Sequence, residues 1–460
     1  LWIATDHNGL LMFDHETRSV RQFLYNRNDI SSVPDNSIQC LYVDSLGALW
    51  IGTYKNGIAY YSPSEQKFET IYLGDICTIT QDAAGLLWCG SNDSGIITYN
   101  PITGDKQTID KSQSGLGSNT VVSSLTASDG SLWFGTYNGG LAHYSGGSWK
   151  IYRANDGSGL ANDNVWSLCQ LPDGRIVLGT LGSGVQIFDV NSGKFTTYNM
   201  KHGGLTSDYI SSVTIGNDGR IIASHSEGLS VIDSRNGKVE NIHGNRQGIL
   251  FPSQQFNQVY QDSRGIIWCA TLSGTVAFDP KSGQMSSVKT VGGVAGSVVC
   301  SVAEDKNHDI WVVNEHSISK INVRKDNKGQ WDYFVSSYNS LDGLQERLFN
   351  YRSIRLLANG DIVAGGQDGI NMITPQKLSH KENNARVMFS GVILFDHPMH
   401  VGEEYNGRVI LKSNIDESRE IKLKYGENAF TILLASSEIT VPQKSRFLYR
   451  LKGFSDKWIL

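Results

Sequence analysis

The sequence predicts an all-β fold, and three observations support this prediction. Gly is frequent, at 49 of 460 residues, where ~7% is usual. Charged residues make up 18% of the chain, where ~25% is usual, whereas aromatic residues reach 10%. A short segment of apolar residues and Gly-containing turns also recurs along the chain. Glycine at turns and aromatic packing suit a protein made of many short strands.

The recurring segment is clearest at residues 47–53, which read GALWIGT and are followed by Asn56 and Gly57. Nine copies are present, and their intervals range from 38 to 52 residues. Their anchor positions are Trp2, Trp50, Trp88, Trp133, Val177, Ile222, Trp268, Trp311 and Val363. A period near 45 residues leaves room for about four short strands and their turns.

Each copy can be divided into four strands. Around Trp50 these are residues 38–43, 49–53, 58–61 and 68–72. Asp44 begins a turn by bonding its own backbone, and Gly47 supplies a positive φ. The second strand is apolar on both faces, as expected for a strand enclosed between neighbouring sheets. Four strands per repeat at this period predict a β-propeller.

The repeat, with its Asp-x-x-Gly turn and Leu-Trp-Ile-Gly-Thr strand, resembles the two-component-regulator propeller repeat. Residues 423–430 and 449–458 resemble the triple-tyrosine domain, an Ig-like β-sandwich that follows such propellers. Residues 342–344, 349–350, 365–370 and 374–375 resemble the last blade before that domain. The order of these parts resembles the periplasmic sensor region of hybrid two-component systems of Bacteroides type. Val177, Ile222 and Val363 depart from the repeat by lacking Trp, and His308 stands where Gly is expected.

The resemblance also implies the division of the chain, because such proteins usually carry two seven-bladed propellers. Counting back from the last blade predicts a seven-bladed propeller over residues 73–376. Residues 1–72 would then be the last two blades of a truncated N-terminal propeller. An incomplete triple-tyrosine domain is expected over residues 384–460, with residues 376–384 as the linker.

Candidate ligand residues lie in the blade-to-blade connections. In a four-stranded meander these connections share one face with the second-to-third loops, and variable loops on a rigid scaffold often bind ligands. Amides, carboxylates, Arg and aromatic rings suit the hydroxyls and planar faces of a sugar. The candidates are Asp163, Asn164, Trp166, Asp208, Tyr209, Gln255, Asn257, Arg347, Asn350, Tyr351 and Arg352. The competing interpretation is that the Asp and Asn residues only cap turns.

Composition and motifs argue against other classes. The net charge is −5 and no basic run is present, which argues against a nucleic-acid partner. The sequence contains no apolar stretch of ~18 residues, the length expected of a membrane span. A chain that starts at Leu1 is interpreted as a fragment of a longer protein. No catalytic or nucleotide-binding motif is found, so no catalytic residue, metal or cofactor is predicted. His397 and His400 are interpreted as loop residues rather than metal ligands.

The resemblance implies a function for the whole protein. It would be a membrane-bound hybrid sensor histidine kinase that controls glycan-utilisation genes through a phosphorelay. This chain would be its periplasmic part, which binds an oligosaccharide and forms a homodimer through the triple-tyrosine domain. The kinase and the inner-membrane segments would lie outside the fragment. Two alternatives are a propeller enzyme, such as a polysaccharide lyase or glycosidase, and a propeller that binds a protein partner.

Overall fold

A computed structural model describes residues 1–15, 18–27, 32–44, 47–62, 67–243, 255–288, 297–378, 386–436, 447 and 449–453. The predicted all-β class is confirmed, since strands make up nearly all of its regular structure. The chain divides into two compact units, residues 65–378 and residues 1–64 together with 379–460.

The N-terminal part of the smaller unit contains two three-stranded sheets. The first consists of β1 (Trp2–Ala4), β2 (Leu10–Phe13) and β3 (Val20–Phe23), and the second of β4 (Ile38–Val43), β5 (Leu49–Thr53) and β6 (Ile58–Tyr61). Leu10, Leu49 and Ile51 are buried in a common core. Both sheets resemble blades, but that they end a truncated propeller stays a prediction.

The prediction that residues 68–72 complete the blade of Trp50 was wrong. This segment forms β7 (Glu69–Tyr72), which belongs to the larger unit and pairs with a strand near residue 370. The boundary between the units therefore lies at residues 64 and 65 rather than 72 and 73. Local sequence shows that a strand is present, whereas its partner is set by long-range pairing that a repeat pattern does not reveal.

Among its described residues, the larger unit contains seven four-stranded antiparallel sheets. Six are meanders from the innermost to the outermost strand, and the seventh takes its outermost strand from an earlier part of the chain. Their strands are β8 (Ile76–Gln81), β9 (Leu87–Ser91), β10 (Ile96–Tyr99), β11 (Lys106–Ile109); β12 (Val121–Thr126), β13 (Leu132–Thr136), β14 (Leu141–Ser145), β15 (Ser148–Tyr152); β16 (Val165–Gln170), β17 (Ile176–Thr180), β18 (Val185–Asp189), β19 (Lys194–Tyr198); β20 (Ile210–Ile215), β21 (Ile221–His225), β22 (Gly228–Asp233), β23 (Lys238–His243); β24 (Phe256–Gln261), β25 (Ile267–Thr271), β26 (Gly274–Phe278), β27 (Met285–Val288); β28 (Val299–Glu304), β29 (Ile310–Asn314), β30 (Ser317–Lys325), β31 (Trp331–Tyr338); and β32 (Phe349–Leu356), β33 (Ile362–Gly366), β34 (Gly369–Ile373) with β7.

The seven sheets form a closed ring, which confirms the predicted seven-bladed propeller. Each innermost strand packs against the innermost strand of the next blade, and β32 of the seventh blade packs against β8 of the first. The outermost strand of the seventh blade is β7, which precedes the first blade in sequence. The two ends of the propeller chain are therefore joined within one sheet.

The second strand of every blade is buried along its whole length, as its apolar sequence predicts. The Gly near the end of this strand allows a close approach of the next blade. A Cβ atom added to Gly135 would lie 2.3 Å from the carbonyl oxygen of Val165. In the blades that carry it, this Gly thus leaves room for the innermost strand of the next blade.

The turn Asp and the strand Trp of the repeat form one structural unit. In blades one, five and six, the indole N–H donates to the Asp six residues earlier, over 2.9 Å at Asp82–Trp88, Asp262–Trp268 and Asp305–Trp311. In blade two, Trp133 donates instead to Ser131. The three blades without Trp also lack this Asp, with Leu171, Gly216 and Leu357 at its position. In three of the four propeller blades that carry the Trp, the two residues thus occur together and are joined by a hydrogen bond.

The C-terminal part of the smaller unit is described over residues 386–436 and a few later positions. Its strands are β35 (Val387–Leu394), β36 (His397–Met399), β37 (Glu404–Tyr405), β38 (Arg408–Val409) and β39 (Phe430–Ser436). Short 3-10 helices among the described residues of both units are Ser340–Asp342, Pro375–Lys377 and Ile415–Glu417. β35 lies between β36 and β39 in one sheet. Part of the predicted linker and residues 454–458 of the triple-tyrosine motif lie outside the described residues. The Ig-like sandwich stays a prediction.

All six cysteines are free thiols, of which one is exposed, two are partly buried and three are buried. Cys40 is exposed, whereas Cys89, Cys269 and Cys300 are buried. Burial raises the pKa of the Cys89 thiol to about 12, and thiols react as thiolates. In native protein we expect a thiol-specific reagent such as DTNB to modify Cys40 first and the buried thiols only after denaturation. Cys40→Ser should remove the fast phase; fast reaction of a buried thiol in that variant would contradict the burial described.

Candidate ligand site

The predicted loop face of the larger unit is confirmed by hydrogen bonds between its loops. Here "loop face" denotes the second-to-third loops and the blade-to-blade connections of the seven-bladed propeller. The backbone N–H of Asn138, in a second-to-third loop, donates over 2.9 Å to Oδ1 of Asn164, in the connection to the next blade. In the same way the N–H of Gly182 donates to the carbonyl of Asp208 over 3.0 Å. These two connections are thus fixed to the loop of the preceding blade.

Three predicted ligand residues use their side chains to shape these loops. Besides Asn164, Asp163 accepts from the N–H of Ala154 over 2.8 Å, and Asp208 accepts from the N–H of Met200 over 2.7 Å. These contacts are those expected of turn-capping residues. They occupy at least one oxygen of each side chain and support the competing interpretation for these positions.

Two further predicted residues join the innermost strands of neighbouring blades. The Asn257 amide donates over 2.7 Å to the carbonyl of Val299 in the sixth blade. The Asn350 amide donates to Oδ1 of Asp75 over 2.6 Å and to the carbonyl of Ile76 over 2.8 Å. Asn350 therefore links the seventh blade to the first.

The remaining predicted residues are available at the surface of the loop face or lie near the propeller axis. Tyr209 is 66% exposed and Tyr351 is 40% exposed. Gln255 and Arg347 are exposed as well. Tyr137, in a second-to-third loop, is 47% exposed, and its ring centroid lies 6.4 Å from that of Trp166. The loop face thus presents several aromatic rings to solvent.

A single residue bulges from the innermost strand in each of the first six blades. In the third blade, Val165 pairs with Thr180 and Ser167 with Gly179, which leaves Trp166 without a partner in the ladder. The six bulged residues are Cys77, Val122, Trp166, Ser211, Asn257 and Cys300. Because the same position bulges in each of these six blades, the six residues form one level around the axis, which we name the bulge ring.

The seventh blade departs from this pattern with a longer bulge. Phe349 pairs with Gly366 and Ile354 with Ala364, so residues 350–353 face Gly365 alone. Arg352 lies within this bulge and has a φ of 58°, a conformation that non-Gly residues adopt rarely. The additional residues extend the seventh blade further towards the axis than the other blades.

Arg352 extends across the bulge ring to three other blades. Its Nη1 donates to the carbonyl of Ser211 over 3.1 Å and to that of Asn257 over 3.4 Å. Its guanidinium lies 4.9 Å from the centre of the Trp166 ring, within the range of a cation–π contact. Burial lowers the pKa of Arg352 to about 10, which leaves it charged at neutral pH. The structure thus brings together Trp166, Asn257 and Arg352.

An axial cavity of about 420 Å³ is lined by the innermost strands of all seven blades. The volume lies within the ~300–1,000 Å³ usual for small-molecule sites. Trp166 and Arg352 line it, and so does Arg355, a residue that was missed in the sequence. The available signal was an Arg in the middle of a strand where the sixth blade has Ala303. The sequence prediction placed ligand residues in loops and connections, whereas Arg355 lies within a strand.

Within the described residues, no group of three or more His, Cys, Asp or Glu side chains is arranged to hold a metal ion. His397 instead contacts Glu403, with 2.9 Å between Nε2 and Oε1. In that same part of the chain, no helix combines the length and apolar character needed to cross a bilayer.

Comparison with known proteins identifies the type of repeat. The family model described as two component regulator propeller matches residues 32–55 and 115–138, which contain Trp50 and Trp133. A curated relative, Histidine kinase P4 from Formosa agariphila, is 24% identical over 166 residues. That match covers 36% of this chain and 11% of the kinase. The chain therefore carries repeats of the two-component-regulator class.

Similar solved structures share the fold. The extracellular domain of BT3049, assigned as a hybrid two component system of B. thetaiotaomicron, has a TM-score of 0.74 and 23% identity, with 100% of this chain and 60% of that chain covered. The extracellular domain of BT4673 from the same organism has a TM-score of 0.56 and 18% identity, with 98% of this chain and 61% of that chain covered. PorZ from Porphyromonas gingivalis has a TM-score of 0.52 and 14% identity, with 84% of this chain and 58% of that chain covered. The predicted resemblance to Bacteroides sensor regions is thus confirmed for repeat type and fold, and this chain spans about 60% of the solved chains.

Proposed function

We propose that this chain is the ligand-sensing, extracytoplasmic part of a hybrid two-component sensor histidine kinase and that its loop face binds an oligosaccharide. The observation that supports this most directly is the set of exposed rings on that face: Tyr137, Tyr209 and Tyr351. Planar rings beside amides and carboxylates offer the contacts that a sugar needs. The two-component-regulator repeats favour a sensor over an enzyme, and the similar domains described as extracellular support the proposed location.

Signal transfer is part of the same proposal. A ligand shifts an equilibrium only if it binds one arrangement of the receptor more tightly than the other. We propose that oligosaccharide binding favours one packing of a homodimer formed through the triple-tyrosine domain. The change would pass through an inner-membrane segment to a kinase and a phosphorelay that control glycan-utilisation genes.

Substitution of Tyr209 tests the loop face. We expect one family of glycan oligosaccharides to raise the melting temperature of the chain in a thermal-shift screen. Tyr209→Ala should weaken binding of that glycan about tenfold, equivalent to about 1.4 kcal/mol, because a 66% exposed ring would lose its stacking contact. The melting temperature without ligand should change little.

Phe334→Ala is the matched control for this test. Phe334 is 55% exposed but lies on β31, the outermost strand of the sixth blade, away from the loop face. The Phe334→Ala variant should keep the glycan affinity of the parent chain. Equal loss of affinity in both variants, or no stabilisation by any member of a broad glycan panel, would contradict the proposal.

A further inference from the structure

The axial cavity has an unusual balance of charge. Three charged side chains line it: Arg352, Arg355 and Glu304. The two cations lie three residues apart on the innermost strand of the seventh blade. Buried or partly buried Arg residues are normally paired with acids, because leaving a guanidinium without a counter-charge in a desolvated place is unfavourable. The contacts of these two side chains therefore decide whether the cavity carries uncompensated positive charge.

Arg352 uses one nitrogen of its guanidinium, whereas another is buried without a partner among the described residues. Nη1 is used by the carbonyls of Ser211 and Asn257. Nε is buried and has no hydrogen-bond partner among the described residues. The Nε–Nη2 edge is the edge that a carboxylate fits with two parallel hydrogen bonds. The bulge thus places in the cavity wall a guanidinium whose Nε–H is unpaired among the described residues.

Arg355 supplies a second cation. In the part of the chain that the structure describes, its side chain has no ion pair or hydrogen bond. Burial lowers the pKa of Arg355, and no carboxylate opposes that effect. The side chain is therefore held in the cavity wall without a structural partner that would explain its charge.

Among the described residues Glu304 forms no ion pair with either cation, and its carboxylate is engaged elsewhere. It accepts from the N–H of Ser263 over 2.9 Å. Its Oε1 also accepts from the Ser263 hydroxyl over 2.5 Å and lies 3.1 Å from Nδ1 of His308. These partners belong to the turns at the opposite ends of the innermost strands from the bulge ring. The cavity therefore retains an excess of positive charge near Arg352 and Arg355.

We propose that the axial cavity binds a carboxylate-bearing ligand, with the Nε–Nη2 edge of Arg352 as its fork and Arg355 as a second cation. The carboxylate could belong to a uronic acid or to a free organic acid, since both present the same planar group. Trp166 already covers one face of the Arg352 guanidinium and so holds the fork in place. The site is separate from the proposed glycan contacts of Tyr209, and either proposal can fail alone.

The test is isothermal titration of the full 460-residue chain with glucuronate, acetate and glucose as probes. Glucuronate should bind and glucose should not, because the two sugars differ in the carboxylate. Binding of acetate as tightly as glucuronate assigns the site to free organic acids, and tighter binding of glucuronate assigns it to uronic acids. Arg355→Gln should weaken glucuronate binding at least tenfold. This variant removes no hydrogen bond found in the described residues, so its melting temperature should stay near that of the parent chain.

Two further variants complete the design. Arg352→Lys keeps the charge but lacks the planar fork, so glucuronate affinity should again fall at least tenfold. Lys281→Gln removes one positive charge from an exposed turn and should have no effect. Equal affinity for glucuronate and glucose, or unchanged binding in Arg355→Gln, would overturn the proposal. Equally tight binding of inorganic phosphate through the same two arginines would overturn the assignment to carboxylates.

Failure of the cavity proposal can be distinguished from failure of the proposed function. If a neutral oligosaccharide stabilises the chain through Tyr209 while glucuronate does not bind, only the cavity assignment is overturned. If glucuronate binds through Arg355 and no oligosaccharide in the panel stabilises the chain, the cavity assignment holds and the glycan-sensing proposal is contradicted.

Discussion

A chain shortened to begin at Leu73 should lose the cooperative unfolding of the propeller, whereas a chain that begins at Lys67 should keep it. The shorter chain lacks β7, the outermost strand of the seventh blade, and with it the only strand that joins the two ends of the ring within the described residues. It also lacks Phe68, which is 5% exposed and packs at 5.1 Å against Tyr338. Removal of such a buried ring alone costs about 3–5 kcal/mol.

Thermal unfolding and limited proteolysis of the two shortened chains measure this difference. The chain from Leu73 should melt at a markedly lower temperature and be cut early in its seventh blade. Phe68→Ala in the full chain is the finer variant, and Tyr72→Ala is its control, because Tyr72 lies on the same strand but is 72% exposed. Equal melting temperatures for the two shortened chains would show that β7 does not close the ring.

Replacement of Trp311 should produce the second large effect. Trp311 is fully buried in the sixth blade, and Trp311→Ala should lower the free energy of unfolding by about 3–5 kcal/mol. Trp311→Phe keeps most of the apolar volume but removes the indole N–H that donates to Asp305 over 2.9 Å. Because that buried acceptor then has fewer partners, Trp311→Phe should lower the free energy of unfolding by about 1–3 kcal/mol. Melting temperatures of the three proteins should therefore fall in the order parent, Phe, Ala.

A double-mutant cycle with Asp305→Ala tests the Asp–Trp unit itself. If the two residues act together, the double variant Asp305→Ala/Trp311→Phe should be less destabilised than the sum of the single variants. Trp149→Phe is a suitable control, since Trp149 is only partly buried and has no Asp partner of this kind in the described structure. Strict additivity at Asp305 and Trp311 would show that the hydrogen bond adds nothing to packing.

Much of the propeller could be predicted from sequence because its rules are local. Large apolar residues on both faces of a blade's second strand predict that this strand is buried between blades. The second strand of each of the seven blades is buried. The predicted turn glycines adopt positive φ, with Gly130 at 82°. Even His308, where Gly was expected, has a φ of 63°. Backbone geometry therefore follows the repeat even where the residue does not.

The candidate site could be predicted only in part. Trp166 and Arg352 were selected separately for their chemistry, but nothing in the sequence indicates that an Arg from the seventh blade stacks on a Trp from the third. That contact depends on the long bulge at residues 350–353. Asp163, Asn164 and Asp208 have the right residue types for sugar binding, yet their side chains also cap loops. Residue type alone does not separate these two uses.

The sequence by itself determined the strands, the turns, the number of repeats and the buried second strand of each blade, because these depend on spacings of a few residues. The tertiary structure decided which strand closes the ring, as β7 pairs with β34 across about 300 residues of chain. It also decided that Arg352 and Arg355 share one cavity. Both depend on closure of the ring, which brings together innermost strands that are distant in sequence.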